Sequence, residues 1–304
     1  MMDFRRIAFW AFLILPAVGC DRRQPAGNPD KPMGEKVSAR SNPGFKEYWY
    51  RGKAELSTFE VEQERYGEIR RAEQVNIFVT EDFSKNKQVK LDAPQDAGAD
   101  RVPILKLNAV RRFHTGIYEY TLMESIFTPV DASPSLKATY SVMDWCGQVF
   151  SQFNLRDNGY RVRLFSYFES EGDTDQQLKP AMLEDELMTR IRIDPFSIPA
   201  GKTDLIPSPF YLRFRHKPYE VQKADIGIEK GDRESELTVR YEVLDRNLTI
   251  RFETDFPHRI LGWEEMDGEQ LLSRGRLKTT MMSDYWRRHD NGSEFLRDSL
   301  KLVF

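Results

Sequence analysis

The chain has 304 residues, with 45 basic and 48 acidic side chains, a net charge of −3 and only 2 cysteines. So mild a charge lacks the basic excess of a nucleic-acid binder, and 2 cysteines cannot build a disulfide framework. The 40% hydrophobic and 12% aromatic content is ample for a core, and the length suits one large domain or two small ones.

The first element in chain order is "FRRIAFWAFLILPAVGC", where a basic pair, Arg5 and Arg6, precedes an apolar run from Ile7 to Leu15 and small residues before Cys20. This is the layout of a secretory signal. Its apolar run is too short to span a bilayer, which takes ~20 residues. Ending directly in cysteine, Ala17-Val18-Gly19-Cys20 resembles a bacterial lipobox with alanine in place of the commoner leucine. We read residues 1–19 as a lipoprotein signal peptide and Cys20 as the lipidated mature N-terminus. An acylated cysteine buries many methylenes at ~0.8 kcal/mol each, so the membrane is one expected partner. The expected location is the cell envelope, on the inner or outer membrane and facing the periplasm. Residues 20–43, rich in Pro, Gly, Asn and mixed charge, read as a flexible tether.

Residues 44–304 read as a single β-rich domain. In "ELTVRYEVLDRNLTIRFETDF", Leu237, Val239, Tyr241 and Val243 alternate with polar residues, as do Leu248, Ile250 and Phe252 after a turn at Asp245-Arg246-Asn247. Two such runs predict an antiparallel hairpin with one wet face. Comparable runs start at "EYWYRGKAELSTFEVEQ" and recur through "VPILKLNAVRRF", "TGIYEYTLMESIFTPV", "SLKATYSVMDWCGQVFSQFN", "GYRVRLFSYFES" and "FYLRFRHKPYEVQKADIGIE", predicting about ten strands. One internal segment has helical spacing: Leu183, Leu187 and Ile191 recur behind Pro180. A short C-terminal helix over "SEFLRDSL" has Ser293 as its cap. The fold class is therefore mainly β: a large curved antiparallel sheet or open barrel, with one inserted helix against its concave face and a short C-terminal helix.

The chain carries little recognisable chemistry. Trp145-Cys146-Gly147 echoes a thioredoxin-type site, but the second thiol is missing. Cys146 has Val142, Val149 and Phe153 for neighbours and no cation beside it, so it reads as a buried strand residue. The histidines (114, 216, 258 and 289) form no metal-binding pair, and nucleotide-binding and hydrolase motifs are absent. Glu169, Glu171, Asp173 and Asp175 do not fit a calcium loop and read as a solvated connection, so neither metal nor cofactor is expected. Arg213 and Arg215 fall on one face of an expected strand. With Arg161 and Arg163, and with Tyr167 among the nearby aromatics, they make a candidate stripe for an anionic lipid headgroup or glycan. The same pattern also describes the ordinary wet face of a sheet.

The words "EYWYRGKAELSTFEVEQERYGEIR", "IFVTEDF", "NKQVKLD", "DWCGQVFSQFN" and "SYFESEGD" follow one another in an order that resembles a family of uncharacterised Bacteroidota envelope lipoproteins, members of which carry the label "septum formation inhibitor Maf". Maf pyrophosphatases are cytoplasmic and bear a Ser-rich motif that this sequence lacks, so the resemblance implies an envelope lipoprotein and no catalytic residues. The expectation is non-enzymatic binding of a lipid, a glycan or an envelope protein. The alternative is an envelope hydrolase or thiol-dependent enzyme assembled from scattered residues, with Cys146 or a histidine near Asp144 or Asp290.

Overall fold

A computed structural model describes residues 43–304. The expected signal peptide, Cys20 and the tether lie outside the described residues, except that Pro43 opens the first helix.

In chain order the elements are α1 (Pro43–Trp49), β1 (Ala54–Arg65), β2 (Glu68–Ser84), β3 (Arg101–Thr115), β4 (Tyr118–Pro129), β5 (Lys137–Met143), β6 (Gln148–Arg156), β7 (Gly159–Ser166) and β8 (Thr174–Leu178). There follow β9 (Met182–Leu183), α2 (Glu186–Ile193), β10 (Gly201–Ile206), α3 (Pro209–Phe214), β11 (Gln222–Glu229), β12 (Glu234–Tyr241), β13 (Arg246–Glu253), β14 (Ile260–Asp267), β15 (Gln270–Ser283) and α4 (Leu296–Ser299). The strands form one 15-stranded sheet in the order β8 to β1, then β15 to β9. Every neighbouring pair is antiparallel except the short parallel pair β9–β10. Each half of the chain is thus a meander, and the halves join where β1 pairs with β15 from Ala54↔Ser283 to Gln63↔Ser273.

So many twisted strands must curl. Register shifts at Thr58/Phe59, Arg251/Phe252 and Glu265/Met266 add local bends. The curl brings the two ends of the sheet together. Leu178 closes β8, Met182 opens β9, and Lys179 reaches Asp204 of β10 at 2.9 Å. β8 and β9 do not pair, so the barrel stays open along this seam. Gly159 permits the tight end of the seam. Its φ is +107°, and a Cβ there would meet the Leu178 carbonyl oxygen at 2.2 Å.

The inner face carries the core. Phe59, Phe113, Leu122, Phe153, Val162, Val239, Ile250 and Phe252 are buried from strands all round the sheet, each worth ~1.5–3 kcal/mol relative to exposure. Helix α2 lies inside the curve against β3 and β4, with Leu187 and Ile191 fully buried. Its far end is fixed by a buried ion pair. Arg192 bonds both oxygens of Glu55 on β1, stacks over Trp49 and Phe78, and donates to the Pro257 carbonyl at 3.0 Å. Outside, the segment between β2 and β3 covers part of the sheet. Gln88 donates to the Leu155 carbonyl at 2.8 Å, beside a small second core of Phe83, Ile104 and Leu136.

The mainly β class, the curved antiparallel sheet and the inner helix are as the sequence predicts. The β12–β13 hairpin also forms, with Leu237 opposite Ile250 and Val239 opposite Leu248. Several elements differ. Helix α2 starts at Glu186, because Met182 and Leu183 are still extended against Leu205 and Ile206. Residues 47–49 and 210–214, at the heads of expected strands, lie instead in helices α1 and α3. Helix α3 is set by Pro209 at its first turn and by His216, at φ 51°. The His216 and Lys217 amides donate back to Arg213 and Leu212 at 3.4 and 2.8 Å, a Schellman closure. Helix α4 begins at Leu296, and the Ser293 hydroxyl bonds Asp290 instead of capping a helix. Cys146 is exposed, not buried. Val142 and Val149 face each other across the β5–β6 hairpin, so the residues between them must reverse the chain. Asp144 Oδ1 holds that turn by accepting the amides of Cys146 and Gly147 at 2.6 and 3.3 Å. Trp145 is therefore 71% exposed.

Candidate functional site

Two spaces bring charged side chains together, one at the seam and one inside. The seam groove, about 690 Å³, runs between Leu164, Thr174 and Gln176 of β7–β8 and the end of α3 with Arg213, Lys217 and Tyr219. Its size falls in the range of small-molecule pockets, ~300–1,000 Å³. Leu164 and Tyr219 give it an apolar floor, and Arg213 gives it charge. The Arg213 guanidinium donates to Glu171 Oε1 at 2.6 Å and stacks over Phe168, while its buried Nε has no partner. His216 Nδ1 lies 3.8 Å from the same Glu171 oxygen.

The expected basic stripe does not assemble. Arg213 belongs to a helix at the seam, whereas Arg161 and Arg163 point away from the core, out of phase with buried Tyr160, Val162 and Leu164. Arg161 is spent on Asp175 (Nε–Oδ1 2.9 Å), and Arg163 reaches Asn154 at 3.5 Å. Arg215 pairs with Glu64 and Asp267, both at 3.3 Å. Tyr167 is 64% exposed and lies on Gly147, where a Cβ would meet its ring at 2.6 Å. Of the five candidates only Arg213 lines the groove. Of the acidic run, Glu171 joins it there. Among the described residues no group of His, Cys, Asp and Glu is arranged to hold a metal.

The interior chamber is a polar cavity of about 70 Å³ beneath α3, and the sequence reading missed it. On one side Arg246 of β13 bonds both oxygens of Glu184, and its Nε donates to Glu265 at 2.9 Å. Tyr241 also donates to Glu184. Burial opposes the Arg246 charge, but Glu184 and Glu265 outweigh it and hold its pKa well above the ordinary value. On the other side stand Arg111 of β3, Glu124 of β4 and Asp185. Burial, followed by the Asp185 charge, raises Glu124 well above the ordinary carboxylate range. Burial and then the Glu184 charge push Asp185 up to about 7. Burial also lowers Arg111, although a guanidinium keeps its proton.

Period two held the signal for these residues. Glu124 falls in phase with buried Tyr120, Leu122 and Ile126, Arg111 with Leu107, Ala109 and Phe113, and Arg246 with Leu248, Ile250 and Phe252. A charge in the apolar phase of a strand is expensive and marks a site more sharply than a charge on the wet face.

The residues named for an enzyme stand apart. Cys146 sits in an exposed turn with only Asp144 bonding its backbone, while His114 stacks on Phe304 and His258 lies among Phe196 and Phe256.

No family model matches the chain, and no curated protein matches it. Among solved structures, the chain is similar to a β-barrel-like protein of the domain of unknown function DUF1849 from Brucella abortus. The two share 10% identity, with 76% of this chain and 98% of that chain covered at a TM-score of 0.47.

Proposed function

We propose that the chain is a lipid-anchored protein of the bacterial cell envelope that binds an amphipathic ligand, a lipid or a glycan, without transforming it. The lipobox-like run ending in Cys20 supports the anchor. The observation that carries the binding is the seam groove: about 690 Å³, apolar at Leu164 and Tyr219, cationic at Arg213 and Lys217, and open along an unpaired sheet edge. An anionic or hydroxyl-rich head meets the cationic side chains Arg213 and Lys217, and the apolar part of the ligand lies along the strand wall. Native mass spectrometry of the protein purified from membranes tests the reading. The expected result is a bound small molecule that disappears in Thr174→Trp, which fills the groove from an exposed position. An adduct that survives this substitution, or no adduct after repeated mild purification, refutes it.

A further inference from the structure

The chamber contains a guanidinium and carboxyl groups that the fold keeps from meeting, with burial holding Glu124 toward its neutral form until a cation faces it. Gln74 faces Arg111 across β2–β3, and Ala109 faces Glu124 across β3–β4, so Arg111 and Glu124 are diagonal neighbours on one face of the sheet. Long side chains at such positions are within reach of each other. Yet Arg111 turns to neutral partners instead: its Nε donates to Gln74 Oε1 at 2.7 Å, Nη1 donates to Gln63 Oε1, and its plane lies 5.4 Å over the Trp263 ring. Among the described residues no ion pair joins Arg111 to a carboxylate. Glu124 is only 8% exposed and no side chain among the described residues donates to it, while Asp185 has Tyr140 and Ser208 beside it and its Oδ2 lacks a partner.

A buried carboxylate without a donor costs about 1–3 kcal/mol or more, and native folds rarely carry such groups without a reason. The opposite wall shows that this chain can pair its buried charges, since Arg246, Glu184 and Glu265 satisfy one another. The gap is also open to the surface. A space of about 30 Å³ shares Arg111, Phe210, Tyr211 and Glu265 with the chamber and leads to Glu64 and Arg215. At about 70 Å³ the chamber is smaller than the 150 Å³ that holds a benzene ring, so it takes a small polar group. A lone amine there leaves Arg111 without a counter-charge, and a lone carboxylate leaves Glu124 and the Oδ2 of Asp185 without donors. A group bearing both charges on one short frame answers both needs.

We infer that the chamber is a second binding site, for a small zwitterion of amino-acid type, whose ammonium sits on Glu124 and Asp185 and whose carboxylate sits on Arg111. An ammonium brings three donors to Glu124, which has none, and to the unpartnered Oδ2 of Asp185, and a carboxylate meets the guanidinium of Arg111. The zwitterion is either a free amino acid or the end of a larger molecule whose remainder leaves past Glu64 and Arg215.

The test is calorimetric titration of the purified full-length protein with glycine, alanine, Nε-acetyl-lysine, ethylamine and propionate. Glycine or alanine binds, and ethylamine and propionate each bind at least about tenfold more weakly, the loss of one charged hydrogen-bonded contact. Tighter binding of Nε-acetyl-lysine than of alanine identifies the end of a larger molecule, and equal or weaker binding identifies a free amino acid. Glu124→Gln, nearly isosteric and checked for an unchanged melting temperature, weakens the zwitterion at least about tenfold. Asp185→Asn serves as a second variant. Thr174→Trp at the seam leaves the affinity unchanged, so this site and the seam groove fail or stand separately. Absence of binding by all three zwitterions, equal binding of a single-charge probe, or unchanged affinity in Glu124→Gln overturns the inference.

Discussion

Arg192 and Arg111 are both buried guanidiniums inside the same curved sheet, and the fold treats them in opposite ways. Arg192 bonds both oxygens of Glu55, donates a third bond to the Pro257 carbonyl and lies over the Trp49 and Phe78 rings. Arg111 has a carboxyl neighbour on the next strand, yet it is drawn aside by Gln63 and Gln74. The first arrangement fixes the end of α2 to β1. The second leaves one wall of a chamber unsatisfied and stores an affinity for something else. A buried charge that is fully paired is a structural element, whereas one held away from an available partner marks a site.

The comparison is broken most easily at its structural end. Arg192→Ala leaves the Glu55 carboxylate buried without its partner, and we expect a loss of about 3–5 kcal/mol in denaturant unfolding. A loss below about 1 kcal/mol returns Glu55–Arg192 to the status of an incidental contact. A smaller effect is expected under Arg111. The Trp263 indole lies on Gly275, where a Cβ would meet the ring at 2.3 Å. Gly275→Ala displaces that ring and costs about 1–3 kcal/mol by overpacking. It also disturbs the Arg111 stacking, so zwitterion binding weakens with it.

The chamber carboxyls sharpen the comparison through pH. Asp185 has its pKa raised from 3.8 to about 7, so its folded-state contribution is fully present below pH 3.8 and is lost as pH rises through 7. Asp185→Asn removes the ionisable group. Allowing for partial exposure of this side chain, the variant is expected to be more stable than the parent by on the order of 1–2 kcal/mol at pH 8, with the gain fading toward pH 4. Chemical melts at the two pH values check this, and a gain that grows toward acid pH reverses the sign we assign. The smallest effect belongs to Cys146. It is exposed in a turn held by Asp144, so Cys146→Ser changes stability by less than about 0.5 kcal/mol. A thiol reagent labels it in the folded protein, and protection until unfolding contradicts the turn.

The same alternation explains what the sequence disclosed and what it hid. Period two revealed the β12–β13 hairpin and the β-rich class, because each strand buries one side chain in two. It failed on α3, whose six residues are too few to establish a helical period, so Arg213 and Arg215 passed for one face of a strand. It failed on Cys146 because apolar neighbours in sequence, Val142 and Val149, are partners across a hairpin and not members of one strand. The chamber was legible only in part. Glu124, Arg111 and Arg246 each interrupt an apolar phase, but nothing local says that β4, β3 and β13 face one another, since that depends on the β1–β15 junction between distant parts of the chain. The seam groove lies beyond local reading for the same reason, because it needs the end of α3 and the segment after it to lie against β7 and β8.

The most direct test of the contrast between paired and separated charges is the melting temperature of Glu55→Gln beside that of Glu124→Gln at neutral pH. Glu55 is held ionised: burial opposes its charge, but Arg192 prevails and keeps its pKa below the ordinary value. Losing that charge is expected to lower the melting temperature by more than about 5 °C. Glu124 is raised well above the usual range by burial and by Asp185, so glutamine resembles the form it already takes, and the melting temperature should hold or rise. Equal falls in both variants contradict the account, because they make Glu124 as much a part of the scaffold as Glu55.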